Sequence, residues 1–151
     1  MAGHAPKLEI DASDLAVTIL VTSWHTEITD ALLAGAERSL KAAGNDVYSI
    51  VRVPGAFELP LAAKWAAEDE ADVIIALGVV IQGETPHFEY VCNAATDGLT
   101  RVQLDYGVPV GFGLLTVDSV QQALDRAGLP NSKEDKGAEA VEAAVMMARL
   151  R

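Results

Sequence analysis

Four short runs of apolar, largely β-branched residues alternate with stretches of helical period along this sequence, and that alternation leaves few folds open. "AVTILVT" (Ala16 to Thr22) is apolar on both faces, as a strand buried inside a parallel sheet should be. From His25 to Ala43 the period becomes helical. Ile28, Leu32, Gly35, Ala36 and Leu40 share a face, and Gly44-Asn45 is a stop signal. "VYSIVRV" (Val47 to Val53) is the second strand, closed by Pro54-Gly55, and a helix is predicted from Glu58 to Asp69 with Pro60 in its first turn. "DVIIALGVVI" (Asp72 to Ile81) is the third strand, followed by a helix from His87 to Asp105. "PVGFGLLTV" (Pro109 to Val117) is the fourth. A short helix, Ser119 to Ala127, then stops at Gly128, and the polar stretch "LPNSKED" leads into a last helix from Lys136 to Leu150. There, Ala138, Val141, Ala144, Val145 and Ala148 recur at helical spacing. Strand followed by helix, four times over, predicts an α/β fold: an open four-stranded parallel sheet covered by helices on both sides.

The 151 residues fit a single domain, drawn as 16–151 behind an N-terminal arm of 1–15. The 22 acidic residues against 11 basic ones leave a net charge of −11. No basic stripe exists to displace counterions, which speaks against nucleic acid and anionic membranes as partners. The longest strong apolar run, Val73 to Ile81, is far shorter than the roughly 20 residues of a membrane-spanning helix. "MAGHAPKLEIDASD" lacks the layout of a secretion signal, and the chain is expected in the cytoplasm. Cys92 is the sole cysteine, which rules out an intrachain disulfide; it is expected to pack as a small hydrophobe, with no metal-ligand spacing around it.

In open parallel sheets, ligands collect outside the carboxyl ends of the strands, so the residues just past each strand carry the functional question. After the first strand, "TSWHTE" places Trp24 where its ring can stack on a planar ligand, and sets His25 and Thr26 at a helix start, positions suited to capping. After the second, "VPGAFELP" makes a turn and puts Glu58 at a helix N-terminus, where the dipole favours a carboxylate. After the third, Gly83, Glu84 and Thr85 offer backbone N–H groups to an anion, and Pro86 sets a backbone angle without forfeiting a needed donor. His87 sits at that rim with the one side chain that ordinarily titrates near neutrality. Arg126 and Lys136 are the cations of the late segment. No Walker loop, GxGxxG fingerprint, GxSxG elbow or zinc spacing is present, which leaves nucleophilic serine or cysteine chemistry and metal catalysis without support.

Taken together, "VPGAFELP", "ALGVVIQGETPHFEYVCN", "GVPVGFGLLT", "QALDRAG" and "DKGAEAV", in this order and spacing, resemble the lumazine synthase family from Ala16 to Leu150. The G-x-T-x-H-F segment, with its preceding strand and following "YVCN", is the most specific part. The resemblance implies a flavodoxin-like three-layer subunit in a ring of five with active sites between neighbours. It implies the condensation of 5-amino-6-(D-ribitylamino)uracil with 3,4-dihydroxy-2-butanone 4-phosphate to 6,7-dimethyl-8-ribityllumazine, phosphate and water, without metal or organic cofactor. By the same resemblance, Trp24 stacks on the pyrimidine, and Ala56, Phe57 and Glu58 hold the ribityl chain and ring. Val79, Val80 and Ile81 then present backbone groups to the pyrimidine edge, and Phe112 comes from the adjacent subunit. Glu84, Thr85 and Arg126 bind the phosphate, Lys136 lies at the edge of the site, and His87 moves protons.

Departures from the family pattern set further expectations. Trp24-His25 stands where many members carry Phe-Asn, and Glu84 where Ala is common. The length of "LPNSKED" resembles members that remain free pentamers rather than closing into sixty-subunit shells. "KLEI" (Lys7 to Ile10) resembles an N-terminal strand that adds to a neighbour's sheet. Two other classes remain: a flavin- or lumazine-binding module without turnover, and a structural shell protein. A pure binder needs neither the proton shuttle nor the phosphate clamp, which favours the enzyme.

Overall fold

The computed structural model of the chain describes residues 9–151. Within them, β1 (Val17–Thr22) leads to α1 (Thr26–Ala42), β2 (Ser49–Val53), a 3-10 turn (Ala56–Glu58) and α2 (Leu59–Glu68). Then follow β3 (Val73–Ile81), α3 (His87–Tyr106), β4 (Val110–Val117), the short α4 (Val120–Leu124) and α5 (Lys136–Arg149). The strands form one parallel sheet in the order β2-β1-β3-β4. Helices cover both faces, so the α/β expectation of three layers around a four-stranded parallel sheet holds.

The sheet explains why its central strands are continuously apolar. Successive side chains of a strand point to opposite faces, and here both faces are packed. From β3, Val73, Ile75, Leu77 and Val79 join α1 and α5 in one core, while Ile74 and Ala76 join α2 and α3 in the other. The predicted α1 face is buried as read: Ile28, Leu32, Gly35, Ala36 and Leu40 all lose contact with solvent, joined by Thr29. On α5, Val141, Ala144 and Val145 are buried as read, joined by Gly137 and Ala140, while Ala138 and Ala148 are half-buried. A Cβ added to Gly137 would stand 2.1 Å from the carbonyl oxygen of Leu32, so this residue lets the start of α5 rest directly on the α1 backbone.

Two boundaries differ from expectation in ways that matter later. β2 begins at Ser49 rather than Val47, and as the edge strand it leaves Ser49 to Arg52 exposed. Its outer side pairs with no other strand among the described residues. The predicted Ser119–Ala127 helix stops at Leu124, because the backbone past it is claimed by another partner. The Asp125 carbonyl accepts the N–H groups of Lys133 (2.7 Å) and Glu134 (3.0 Å), and the Arg126 carbonyl accepts that of Lys136 (3.0 Å). The segment 125–136 is thus a closed loop, pinned by an Ala127–Asp135 bridge. Of the "KLEI" stretch, Lys7 and Leu8 lie outside the described residues, and Glu9 and Ile10 are in no strand. Cys92 is half-buried, and burial pushes its thiol up from the usual range.

Candidate active site

The chain leaves β1 toward β2 on one side and places β3 on the other, so β1 and β3 are neighbours whose connections run in opposite directions. Their carboxyl ends open a crevice between those connections. The loop after β1 is clamped to the exit of β2: the Ser23 hydroxyl donates to the Val53 carbonyl at 2.8 Å, and the Ser23 N–H donates to the Pro54 carbonyl at 3.3 Å. That clamp brings Trp24 over Gly55. A Cβ on Gly55 would lie 3.4 Å from both the Trp24 ring and the Glu58 carboxylate oxygen, so the ring and the carboxylate converge on this residue.

The crevice is a cavity of about 620 Å³, a volume suited to a small organic ligand. Trp24, His25, Gly55, Ala56, Phe57, Glu58, Val79, Val80, Ile81, His87, Tyr90 and Val91 form its walls. Eight of the residues singled out from sequence therefore meet in one place: Trp24, Ala56, Phe57, Glu58, Val79, Val80, Ile81 and His87. Trp24 and Phe57 are 68% and 64% exposed, which is unusual for large aromatics and leaves their faces free for a ligand. His87 is exposed at the first position of α3, and its N–H donates to the Thr85 hydroxyl at 3.4 Å. Thr85 thus does some of the work of a helix cap, while Pro86, formally the capping residue, offers no side-chain bond.

Glu84 and Thr85 are exposed just outside the cavity walls, and around Gly83 nothing approaches within 4 Å of a would-be Cβ. No lysine or arginine lines the cavity. Arg126 stands on the closed loop beyond α4, and Lys136 at its end, the first residue of α5. Arg126 donates to the Gln122 carbonyl at 2.8 Å, and Lys136 is paired with Glu134 at 2.7 Å and Glu139 at 3.0 Å. The Glu134 pairing holds the Lys136 ammonium above its ordinary pKa, and Lys136 in turn holds the Glu134 carboxyl below its own. Phe112 is likewise apart. It is 48% exposed on the edge strand β4, lining a second cavity of about 270 Å³ with Thr96, Leu99, Thr100, Gln103 and Val110.

Four wall residues had not been assigned to the site from sequence: Gly55, described above, with Tyr90, Val91 and His25. Tyr90 and Val91 follow His87 at i+3 and i+4, the spacing that puts side chains on one helix face, so the signal was present in the sequence. His25 was expected to cap α1 and does not: its side chain makes no capping bond, and its backbone is left-handed, with φ 56° and ψ 65°. Its carbonyl performs the terminal role instead, accepting the N–H groups of Ile28 (2.9 Å) and Thr29 (3.0 Å).

A family model described as 6,7-dimethyl-8-ribityllumazine synthase matches residues 14–151. The chain belongs to the lumazine synthase family. Proteins of that name from Clavibacter sepedonicus and Leifsonia xyli are 58% and 62% identical to it. The alignments cover 99% and 92% of this chain, and 96% and 87% of those proteins. A third, from Kineococcus radiotolerans, is 58% identical over 93% of this chain and 88% of its own length. As a lumazine synthase family member the chain keeps the expected flavodoxin-like subunit, with its main cavity at the carboxyl ends of β1 and β3. None of the helices among the described residues is long and apolar enough to cross a membrane, and no group of three His, Cys, Asp or Glu side chains is placed to hold a metal.

Proposed function

We propose that this chain is a riboflavin-biosynthesis transferase that condenses 5-amino-6-(D-ribitylamino)uracil with 3,4-dihydroxy-2-butanone 4-phosphate. The products are 6,7-dimethyl-8-ribityllumazine, phosphate and water. The observation that carries this reading is the single cavity in which Trp24, Phe57, Glu58 and His87 meet at the end of β3. The pyrimidine stacks on Trp24 with its polar edge against the backbone of Val79, Val80 and Ile81. Ala56, Phe57 and Glu58 hold the ribityl chain, the Glu58 carboxylate accepting from its hydroxyls. The phosphate binds at the start of α3, on backbone N–H groups near Glu84 and on the Thr85 hydroxyl, where the helix dipole favours an anion. The Glu84 side chain, already exposed, turns to solvent.

Imine formation, loss of phosphate, cyclisation and dehydration each move protons. An imidazole at the rim of the site can accept and return them, contributing ~10²–10⁴-fold in rate. Holding two multifunctional substrates in one orientation supplies much of the remaining acceleration.

Arg126, Lys136 and Phe112 do not line the cavity of their own subunit, and an anion needs a cation there. In this reading each of the three reaches the cavity of a neighbouring subunit. Arg126 then clamps the phosphate with its planar fork, and Phe112 closes the pyrimidine site. The assembly is a ring of five in the cytoplasm; Ile10, Ala12 and Leu15, expected to belong to an N-terminal arm, pack instead against the core of their own subunit. The 16–151 unit acts as one domain.

The test is initial lumazine formation followed by absorbance, with the uncatalysed condensation subtracted. Wild type should turn over, and Arg126→Ala should raise KM for the phosphate substrate while leaving that for the pyrimidine substrate near its original value. Absence of turnover above background would overturn the proposal, and sedimentation of the protein as a monomer would remove the shared-site part of it.

A further inference from the structure

His25 combines three properties that its neighbours do not share. It is a non-glycine residue held at φ 56°, ψ 65°, one of only two such positive-φ residues among those described. Its imidazole is exposed and forms part of the cavity wall between Trp24 and the start of α1. Its ring nitrogens have no hydrogen-bond or ion-pair partner among the described residues. The left-handed conformation is imposed from outside the residue. Ser23 is clamped to the β2 exit on one side, and on the other the His25 carbonyl must accept two N–H groups of α1. A side chain at such a position costs free energy that glycine would not, and strain of this kind persists where the side chain has a use.

The geometry points to His25 as a specificity-determining residue that hydrogen-bonds the ribitylaminouracil substrate. This rests on the reaction proposed above. The choice between the two substrates follows from position. His25 adjoins Trp24, whose ring stands over Gly55 with the Glu58 carboxylate, so it faces the part of the cavity that takes the pyrimidine and its polyol. The phosphate reading uses the opposite rim, at Gly83 to Thr85. An imidazole can donate from one nitrogen and accept at the other, which suits both hydroxyls and the polar edge of a pyrimidine. His and Asn are among the few side chains tolerated in left-handed backbone, so an amide can occupy the same position and keep part of the contact.

Three variants separate a contact from a structural role: His25→Gly, His25→Ala and His25→Asn. Glycine should raise Tm by about 2–4 °C by relieving the backbone, the shift that roughly one kcal/mol produces at this chain length. The same variant should raise KM for ribitylaminouracil about tenfold, the effect of losing one hydrogen bond. KM for the butanone phosphate should stay within twofold, and Asn should recover part of the loss. Equilibrium titration with 6,7-dimethyl-8-ribityllumazine, read by its fluorescence, should weaken in step with KM for ribitylaminouracil. If Gly raises Tm but leaves both KM and lumazine affinity unchanged, the imidazole is a bystander and the inference fails. If both KM values rise together, the loop has deformed and the contact is likewise refuted. Failure of the wild type to turn over is a different result, which overturns the reaction; the titration then still decides whether His25 touches a ribitylated pterin.

Discussion

The seam between α1 and α5 gives the sharpest test of how the late segment is positioned. Gly137 lies at the start of α5, one residue after Lys136, and a methyl group there would be 2.1 Å from the Leu32 carbonyl oxygen, 3.0 Å from its carbon and 3.2 Å from the Ala36 nitrogen. All three are backbone atoms of a helix interior, so no side-chain rotation relieves the overlap. For Gly137→Ala to reach even a tight contact of roughly 3.2 Å, α5 must withdraw by about 1 Å, a shift that loosens Leu32 and Ala36 from Val141 and Val145. Overpacking of this kind costs ~1–3 kcal/mol, and the better helix propensity of alanine returns up to about 1 kcal/mol. The net expectation is a loss of about 1–2 kcal/mol, or a fall of roughly 2–8 °C in Tm for a chain of this size. Calorimetry at fixed protein concentration measures it, since assembly would otherwise contribute to Tm. Gly83→Ala is the control. Nothing lies within 4 Å of the added methyl, so its stability should stay within about 0.5 kcal/mol of wild type. An unchanged or raised Tm for Gly137→Ala would refute the reasoning, because it would mean that the helices do not meet backbone to backbone.

Other expectations concern single side chains. His87→Ala should lower kcat by ~10²–10⁴-fold in the absorbance assay and leave Tm nearly unchanged, since the residue is exposed and makes no side-chain bond. Tyr48 donates its hydroxyl to Glu37, and burial beside that carboxylate pushes the phenol up to about 12. A raised folded-state pKa stabilises below the ordinary value of 10 and ceases to do so as pH climbs through about 12. The stability difference between wild type and Tyr48→Phe should therefore shrink over pH 10 to 12, as chemical denaturation would report. Glu134 shows the opposite sign. Its carboxyl is held below the ordinary 4.5 by Lys136, so the pair stabilises above that value and is lost on acidification. Glu134→Gln should flatten the acid limb of the stability profile; an unchanged limb would show that the Glu134–Lys136 pair contributes little.

What could be read from the chain alone was whatever depends on short-range pattern. The apolar runs named the strands, and the α1 stripe from Ile28 to Leu40 was legible because a helix repeats every 3.6 residues whatever it packs against. The candidate site was legible for a related reason: parallel strands deliver their following loops to one end of the sheet, so residues after Thr22, Val53 and Ile81 had to be neighbours. Tertiary structure decided the rest, because it depends on which backbone groups compete for the same partners. The stretch after Leu124 has a helical look, yet the Asp125 and Arg126 carbonyls are taken by Lys133, Glu134 and Lys136 from a dozen residues or fewer away, and the helix ends. Gly137 joins the buried face of α5 because the α1 backbone at Leu32 comes so close to it. The left-handed twist at His25 arises where the loop clamped by Ser23 to the exit of β2 meets the first turn of α1, and the clamp is a long-range demand that no local propensity records.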